Sequence, residues 1–263
     1  MKNLQDNLGA IINIPFMDKF LDYDNPSAPN RFYHLIKASI VQKFIEENSS
    51  KFKTFLDAGA GRGPYTKMAQ NKYNRIFCFE YDQKELDFAI KNISDDNGSV
   101  EFKRVDITKI PLDDNSIDVG VCSEVLEHIP DYGKAMNELY RVIKPGGTLL
   151  FSMPNGNSML YGLSKIKNRS ILKNLDEQRA QNPSWEQIRH YSFTPKKIEA
   201  IATNAGFRIK RRYGAHTMRI PSTIRSLIIL KFPRLLKIYI TANTFIGKRV
   251  PYFGSFYFLT LEK

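Results

Sequence analysis

Cysteine is nearly absent from these 263 residues: only Cys78 and Cys122 occur. Both fall inside apolar runs that read as buried strands, and two such residues cannot build a disulfide framework. A reducing, cytoplasmic compartment is the simpler expectation. No uncharged apolar run reaches the roughly 20 residues needed to cross a bilayer. Residues 1–16 carry one Lys and one Asp and offer no small-residue cleavage site, so no secretory signal is expected. Internal repeats and low-complexity tracts are also missing. Acidic residues are scarce in one part only. Residues 1–159 hold 19 Lys+Arg and 22 Asp+Glu, a net −3, whereas residues 160–263 hold 20 and 5, a net +15. The +12 of the whole chain therefore belongs to its C-terminal part, where nucleic acid, an anionic membrane surface or a phosphorylated substrate would each account for it.

What is present suits one large α/β domain with insertions, or one domain with a small lid. Hydrophobic residues make up 42% of the chain, enough for a full core, and 25% are charged. Residues 30–48 place Phe32, Leu35, Ile36, Ile40, Val41, Phe44 and Ile45 at near-helical spacing. Strands over 52–57, 75–80, 100–105, 117–123 and 148–153 then alternate with helical patterns over 65–71, 83–92 and 131–143. The last of these helices is expected to stop at Pro145-Gly146-Gly147. A helix over 195–204, a strand over 207–213 and a final strand over 255–262 follow. Such alternation predicts right-handed βαβ units and a doubly wound, mostly parallel sheet.

At the first strand-to-helix turn stands Asp57-Ala58-Gly59-Ala60-Gly61-Arg62-Gly63-Pro64. Glycines that close together allow positive φ and let a ligand approach the main chain. A dinucleotide-binding turn would space them G-x-G-x-x-G and seat a pyrophosphate. Here the spacing is G-x-G-x-G, and Asp57 would repel a pyrophosphate but suit a ligand with a cationic amino group. Glu80, at the end of the second strand, is placed to accept hydrogen bonds from the two hydroxyls of a ribose, or else to cap the following helix.

Taken in order, these segments resemble class I S-adenosylmethionine (SAM)-dependent methyltransferases, in particular the small-molecule and quinone-biosynthesis group. The glycine turn is the first block, and Phe79-Glu-Tyr-Asp-Gln-Lys-Glu-Leu86 is similar to the family's next. Asp106-Ile107 resembles the pair that grips adenine. Ser123-Glu-Val-Leu-Glu-His128, Arg141 to Asn155 with its Lys-Pro-Gly-Gly centre, and Arg189-His190-Tyr191-Ser192-Phe193-Thr194 with Ala205-Gly206-Phe207 complete the series. The resemblance runs from about residue 50 to 213. It implies a seven-stranded, mostly parallel Rossmann-like sheet with helical insertions after strands five and six. It also implies SAM as cofactor, held by Asp57, Gly59, Ala60, Gly61, Gly63, Glu80, Tyr81, Asp106, Ile107 and Ser123.

The reaction needs an acceptor held in line, and a general base if the acceptor is a hydroxyl, phenol or ammonium. His128 and Glu127, just past the fourth strand, and His190, at the end of the first insertion, are the candidates. Each has a plainer alternative: His128 ordering the cofactor loop, His190 packing a lid, Glu127 starting a helix.

The chain is accordingly divided into a helical cap (1–49), a SAM-binding core (50–153), a first lid insertion (154–194) containing the single Trp185, a core helix and strand (195–213), a second insertion (214–253) and a final strand (254–263). The second insertion holds seven Lys+Arg and no carboxylate among strongly apolar residues, and Pro233 is expected to split it into two short helices. Basic and apolar together fit either a lid packed on the core or a segment lying on a membrane interface. A small-molecule or lipid- or glycan-linked acceptor, met at the cytoplasmic membrane face, is the expected partner. An RNA acceptor is disfavoured, because no RNA-binding module is recognisable. A non-catalytic adaptor would be expected to lose the glycines or Glu80, which are all here.

Overall fold

A computed structural model of the chain describes residues 28–50, 53–95, 97–156, 158, 193–217 and 233–263. Its elements are α1 (Ala28–Ser49), β1 (Thr54–Ala58), α2 (Pro64–Ala69), β2 (Arg75–Glu80), α3 (Gln83–Asn92), β3 (Val100–Arg104), β4 (Ile117–Ser123), α4 (Tyr132–Val142), β5 (Ile143–Pro154), α5 (Pro195–Asn204), β6 (Arg208–Ala215), α6 (Pro233–Arg249) and β7 (Phe256–Glu262). One-turn 3-10 helices cover Leu126–His128 and Pro251–Phe253.

The seven strands form one sheet in the order β3-β2-β1-β4-β5-β7-β6. β1 to β5 pair in parallel, and β7 runs antiparallel to both β5 and β6. This is the Rossmann-like class I methyltransferase architecture. Side chains alternate across the sheet as the pleat requires. Phe55, Val119, Val121, Leu150 and Phe258 join a core with α1, α2, α3 and α6. Leu56, Cys122, Leu149, Phe151 and Leu259 join a second core with α4 and α5 on the other face.

Local signals set most boundaries. The Asp82 side chain accepts from Glu85 N at the start of α3, Asp131 from Lys134 N at α4, and Thr194 from Lys197 N at α5. Such caps satisfy otherwise orphaned donors and contribute about 1 kcal/mol each. Two boundaries differ from expectation. Pro145-Gly146-Gly147 does not separate α4 from the fifth strand but lies within β5, which begins at Ile143. The register jumps from Ile117↔Ile143 to Val119↔Thr148, so the extra residues bulge out. A Cβ on Gly147 would sit 2.8 Å from the Asp118 carbonyl oxygen, which is why glycine occupies that close approach. Pro233 does begin a helix, but α6 then continues unbroken for 17 residues rather than as a short half. Residues 218–232 and nearly all of the first insertion, Trp185 included, lie outside the described residues.

Candidate active site

At the carboxyl edge of β1, β2 and β4 the chain encloses a cavity of about 710 Å³. The glycine turn forms one wall. Gly59, Gly61 and Gly63 all have positive φ, at 74°, 53° and 79°. A Cβ on Gly59 would collide with Val125 at 2.4 Å, whereas one on Gly61 would meet nothing within 4 Å. Gly61 therefore leaves a cradle open toward the cavity.

Glu80 fixes that turn. Its Oε2 accepts from Gly61 N at 2.7 Å, and its Oε1 accepts from Tyr81 N at 2.7 Å and Asp82 N at 2.8 Å. Burial raises its pKa, and the three backbone bonds oppose that shift. A carboxylate offers about four lone-pair positions. With three taken by backbone, Glu80 keeps about one for a ribose hydroxyl rather than one for each of two. Tyr81 is exposed beside it, under the Arg104 guanidinium. Farther along, Asp106 turns back to accept from Thr108 N at 2.9 Å, and buried Ile107 supplies an apolar surface next to it. Ala60 and Ser123 also line the cavity, and the Ser123 hydroxyl is 2.8 Å from that of Ser152.

Two of the expected cofactor residues do not line it. The Asp57 side chain is buried, and its Oδ2 accepts from Thr66 N at 2.8 Å and Thr66 Oγ1 at 2.7 Å. Burial pushes this carboxyl up to about 7, against the lowering effect of Thr66. Asp57 thus ties β1 to α2 rather than facing a ligand's amino group. Gly63 precedes Pro64 as the residue before the first turn of α2, and a Cβ there would strike Ile93 at 2.6 Å. Its job is packing.

The loop after β4 and α1 build further walls of the cavity. Glu127 and His128 stand on the 3-10 turn and both line the cavity. Glu127 is 2% exposed, and its Oε2 has no hydrogen-bond partner among the described residues. Burial, reinforced by the nearby Glu124 carboxylate, pushes the Glu127 carboxyl up to about 8. His190 lies outside the described residues. Val125, Ile129, Pro130, Tyr65 and Pro154 add apolar side chains to the lining.

α1 adds groups that the sequence reading passed over. Lys37 is 3% exposed, lies 4.5 Å from the Phe256 ring centroid and lines the cavity. His34, one turn earlier, is held down to about 3 by burial first and by the charges of Lys37 and His216 after that, so its imidazole is neutral. Glu124, the ion-pair partner of Lys37, has φ +59°, an uncommon conformation for a side-chain-bearing residue. The signal was available. Lys37 stands inside the run Leu35-Ile36-Lys37-Ala38, on the buried face of an amphipathic helix, where a lysine needs a partner.

The residues fit SAM on structural grounds. The open cradle at Gly61, the remaining acceptor position of Glu80, and the Asp106–Ile107 pair suit a nucleoside, and the volume suits a ligand of that size. Comparison with known proteins agrees. Residues 56–151 match a family model described as a methyltransferase domain. The ubiquinone biosynthesis O-methyltransferase of Coxiella burnetii is 27% identical over 202 residues, covering 76% of this chain and 83% of that protein. The one from Pseudomonas putida is 27% identical over 178 residues, covering 67% and 74%. Among solved structures, a SAM-dependent methyltransferase from Thermotoga maritima superposes with a TM-score of 0.56 at 16% identity, covering 97% of this chain and 99% of that one. The cyclase SpnF superposes with a TM-score of 0.54 at 17% identity, covering 85% and 80%. Those two likenesses show the fold alone.

Proposed function

We propose an acceptor for what the fold, the family match and the site identify: the chain is a class I SAM-dependent methyltransferase, with SAM as its cofactor. In this reading the acceptor is a small, largely apolar molecule that presents a hydroxyl oxygen. One observation carries it. Glu127 places a buried carboxyl with an unpartnered oxygen in the cavity lining, together with the apolar Val125, Ile129 and Pro130. The names of the relatives above, O-methyltransferases of ubiquinone biosynthesis, point the same way.

Bound SAM supplies a methyl group on a sulfonium, which departs as a neutral thioether. The chain's own work is positioning and proton removal. Glu80 and the Asp106–Ile107 pair would hold the nucleoside in the cavity that Glu127 also lines. Val125, Ile129 and Pro130 exclude water from the acceptor. Glu127, when ionised, accepts the hydroxyl proton as the new O–C bond forms, so the positive charge of the sulfonium ends as a proton on the carboxylate. His128 lines the same cavity as an alternative proton acceptor, and His190 keeps its expected role as another.

A lipid-linked acceptor, met at the cytoplasmic membrane face, is the finer reading. Most of the exposed large hydrophobic side chains among the described residues, namely Leu235, Ile238, Phe245, Val250, Tyr252 and Phe253, sit on α6 and the turn after it. Lys248 and Arg249 lie among them. Such a composition favours a membrane interface. No described helix is long and apolar enough to cross a membrane.

The deciding experiment is calorimetric titration with SAM, followed by SAM turnover against catechols, polyprenylated phenols and tRNA. Binding of SAM and methylation of a phenolic hydroxyl is the expected result. An absence of SAM binding would establish a non-catalytic adaptor instead, a use this fold permits. Methyl incorporation into tRNA alone would replace the small acceptor with RNA.

A further inference from the structure

A second cavity, of about 430 Å³, lies between α1, α6 and strands β5, β6 and β7, and shares no lining residue with the first. It opens near Thr148, six residues before the carboxyl end of β5, which puts it about 20 Å from the cofactor edge of the sheet. Nothing in the methyl-transfer reading uses it.

Its walls are strongly cationic. Lys43 from α1, Lys210 and Arg211 from β6 and Lys248 from α6 face it, against Glu47 and Glu262. Glu47 is shared between Arg211 at 2.7 Å and Lys43 at 3.8 Å. Glu262 is shared between Lys210 at 2.9 Å and Arg208. Lys248 has no carboxylate within ion-pair distance among the described residues, and its ammonium faces that of Lys43 with Arg211 close by. Burial first, then the Lys43 charge and more weakly that of Arg211, hold its pKa down against the opposing effect of Glu47. Lys43, Arg211 and Lys248 thus share the single Glu47 carboxylate, a surplus of positive charge on a concave surface that an added anion would offset. Independently, Thr148 lines the cavity, and its Oγ1 atom is buried with no hydrogen-bond partner among the described residues. A buried hydroxyl without a partner costs stability, and an anion's oxygen would satisfy it.

We infer that this cavity is a second binding site, for the phosphate group of a phosphomonoester or phosphodiester, held by Lys43, Arg211 and Lys248 and by the Thr148 hydroxyl. The cavity is larger than a phosphate, so it leaves room for an attached glycerol or sugar. Two sources supply such a group: a soluble phosphorylated metabolite, or a phospholipid headgroup reaching in beside α6.

The test uses the intact protein at low salt. Inorganic phosphate and glycerol 3-phosphate are titrated by calorimetry, and vesicles of phosphatidylcholine with phosphatidylglycerol are followed by flotation. Saturable binding of a soluble phosphate is expected, weakened about tenfold or more in Lys248→Met and further in Lys43→Met/Lys248→Met. Lys248→Arg should retain it. SAM affinity should be unchanged in all three variants, which shows that they fold and separates this site from the first. Vesicle binding that glycerol 3-phosphate competes away and that needs the lysines identifies a headgroup as the source. Binding of soluble phosphate without vesicle binding identifies a metabolite. Absence of saturable binding to any probe, or binding unaltered by the double substitution, overturns the site.

Discussion

The Lys37 ammonium donates to Glu124 Oε1 at 2.5 Å, joining α1 to the end of β4 across 87 residues of sequence. The two charges are not equally hidden: the Lys37 side chain is 4% exposed and that of Glu124 is 24%. Removing one member of a buried pair strands the other, at about 3–5 kcal/mol when the stranded charge is fully buried. Glu124→Ala should therefore cost more stability than Lys37→Met, which leaves its carboxylate partly in water. Urea unfolding of the two variants checks the order, and equal losses would show that the pair is balanced by solvent.

Glu80 should matter to binding more than to folding. Its carboxylate lines the cavity and accepts from Gly61 N of the glycine turn and from Tyr81 N and Asp82 N just after β2. Glu80→Ala is expected to weaken SAM binding about a hundredfold, the loss of roughly two charge-assisted hydrogen bonds' worth of organisation. Calorimetry measures it. Glu80→Gln, which keeps two acceptor positions on one oxygen, should fall in between.

The glycines of the turn should separate by mechanism. Gly59→Ala drives a Cβ into Val125 at a site with φ +74°, so it should destabilise the fold and reshape the cavity. Gly61→Ala meets no neighbour and should cost only about 1–2 kcal/mol of backbone strain, yet its methyl enters the space a cofactor needs. Thermal unfolding together with SAM titration distinguishes the two.

Glu127 gives the protein a pH signature. Its carboxyl is raised from 4.5 to about 8, so the native state holds a proton that the unfolded chain releases above 4.5. Stability should fall as pH rises from about 4.5 to about 8, with the full cost present above that. Glu127→Gln should flatten this dependence and be the more stable form at pH 9. Methyl transfer by the wild type should rise through about pH 8, and the variant should lose that limb. An unchanged rate profile would assign the proton transfer to a histidine.

Membrane association should depend on the exposed side of α6. Ile238→Asp with Phe245→Asp, both at exposed positions, should abolish flotation with anionic vesicles and leave SAM binding intact. Flotation that persists would place the contact elsewhere.

Much of this was legible in the chain. α3 and α5 start where Asp82 and Thr194 announce a cap, and a doubly wound, mostly parallel sheet followed from the alternation of strands with helices along the chain. The site was legible to the extent that it is made of backbone. Gly59, Gly61 and Glu80 fell on the cavity wall, where their spacing pointed, and Gly63 did not. Nor did Asp57, because spacing says nothing about which face a strand residue presents. Phe55 and Asp57 share a face, and that face is covered by α2, so Asp57 meets Thr66. Lys37 was invisible to a pattern that counts apolar positions, because a paired charge can occupy one of them. The beginning of β5 was masked by a Pro-Gly-Gly sequence that usually ends an element but here forms a bulge.

α1 contributes His34 and Lys37 to the first cavity and Lys43 and Glu47 to the second. One rigid rod is thus a partition serving two rooms, and it precedes the 56–151 segment that carries the family match. A fragment trimmed to that segment would keep the glycine turn while losing the α1 wall of the first cavity and all but Thr148 and Leu150 of the second. In this chain the matched segment carries the glycine turn, Glu80 and Asp106, but it takes the preceding helix to close the chamber.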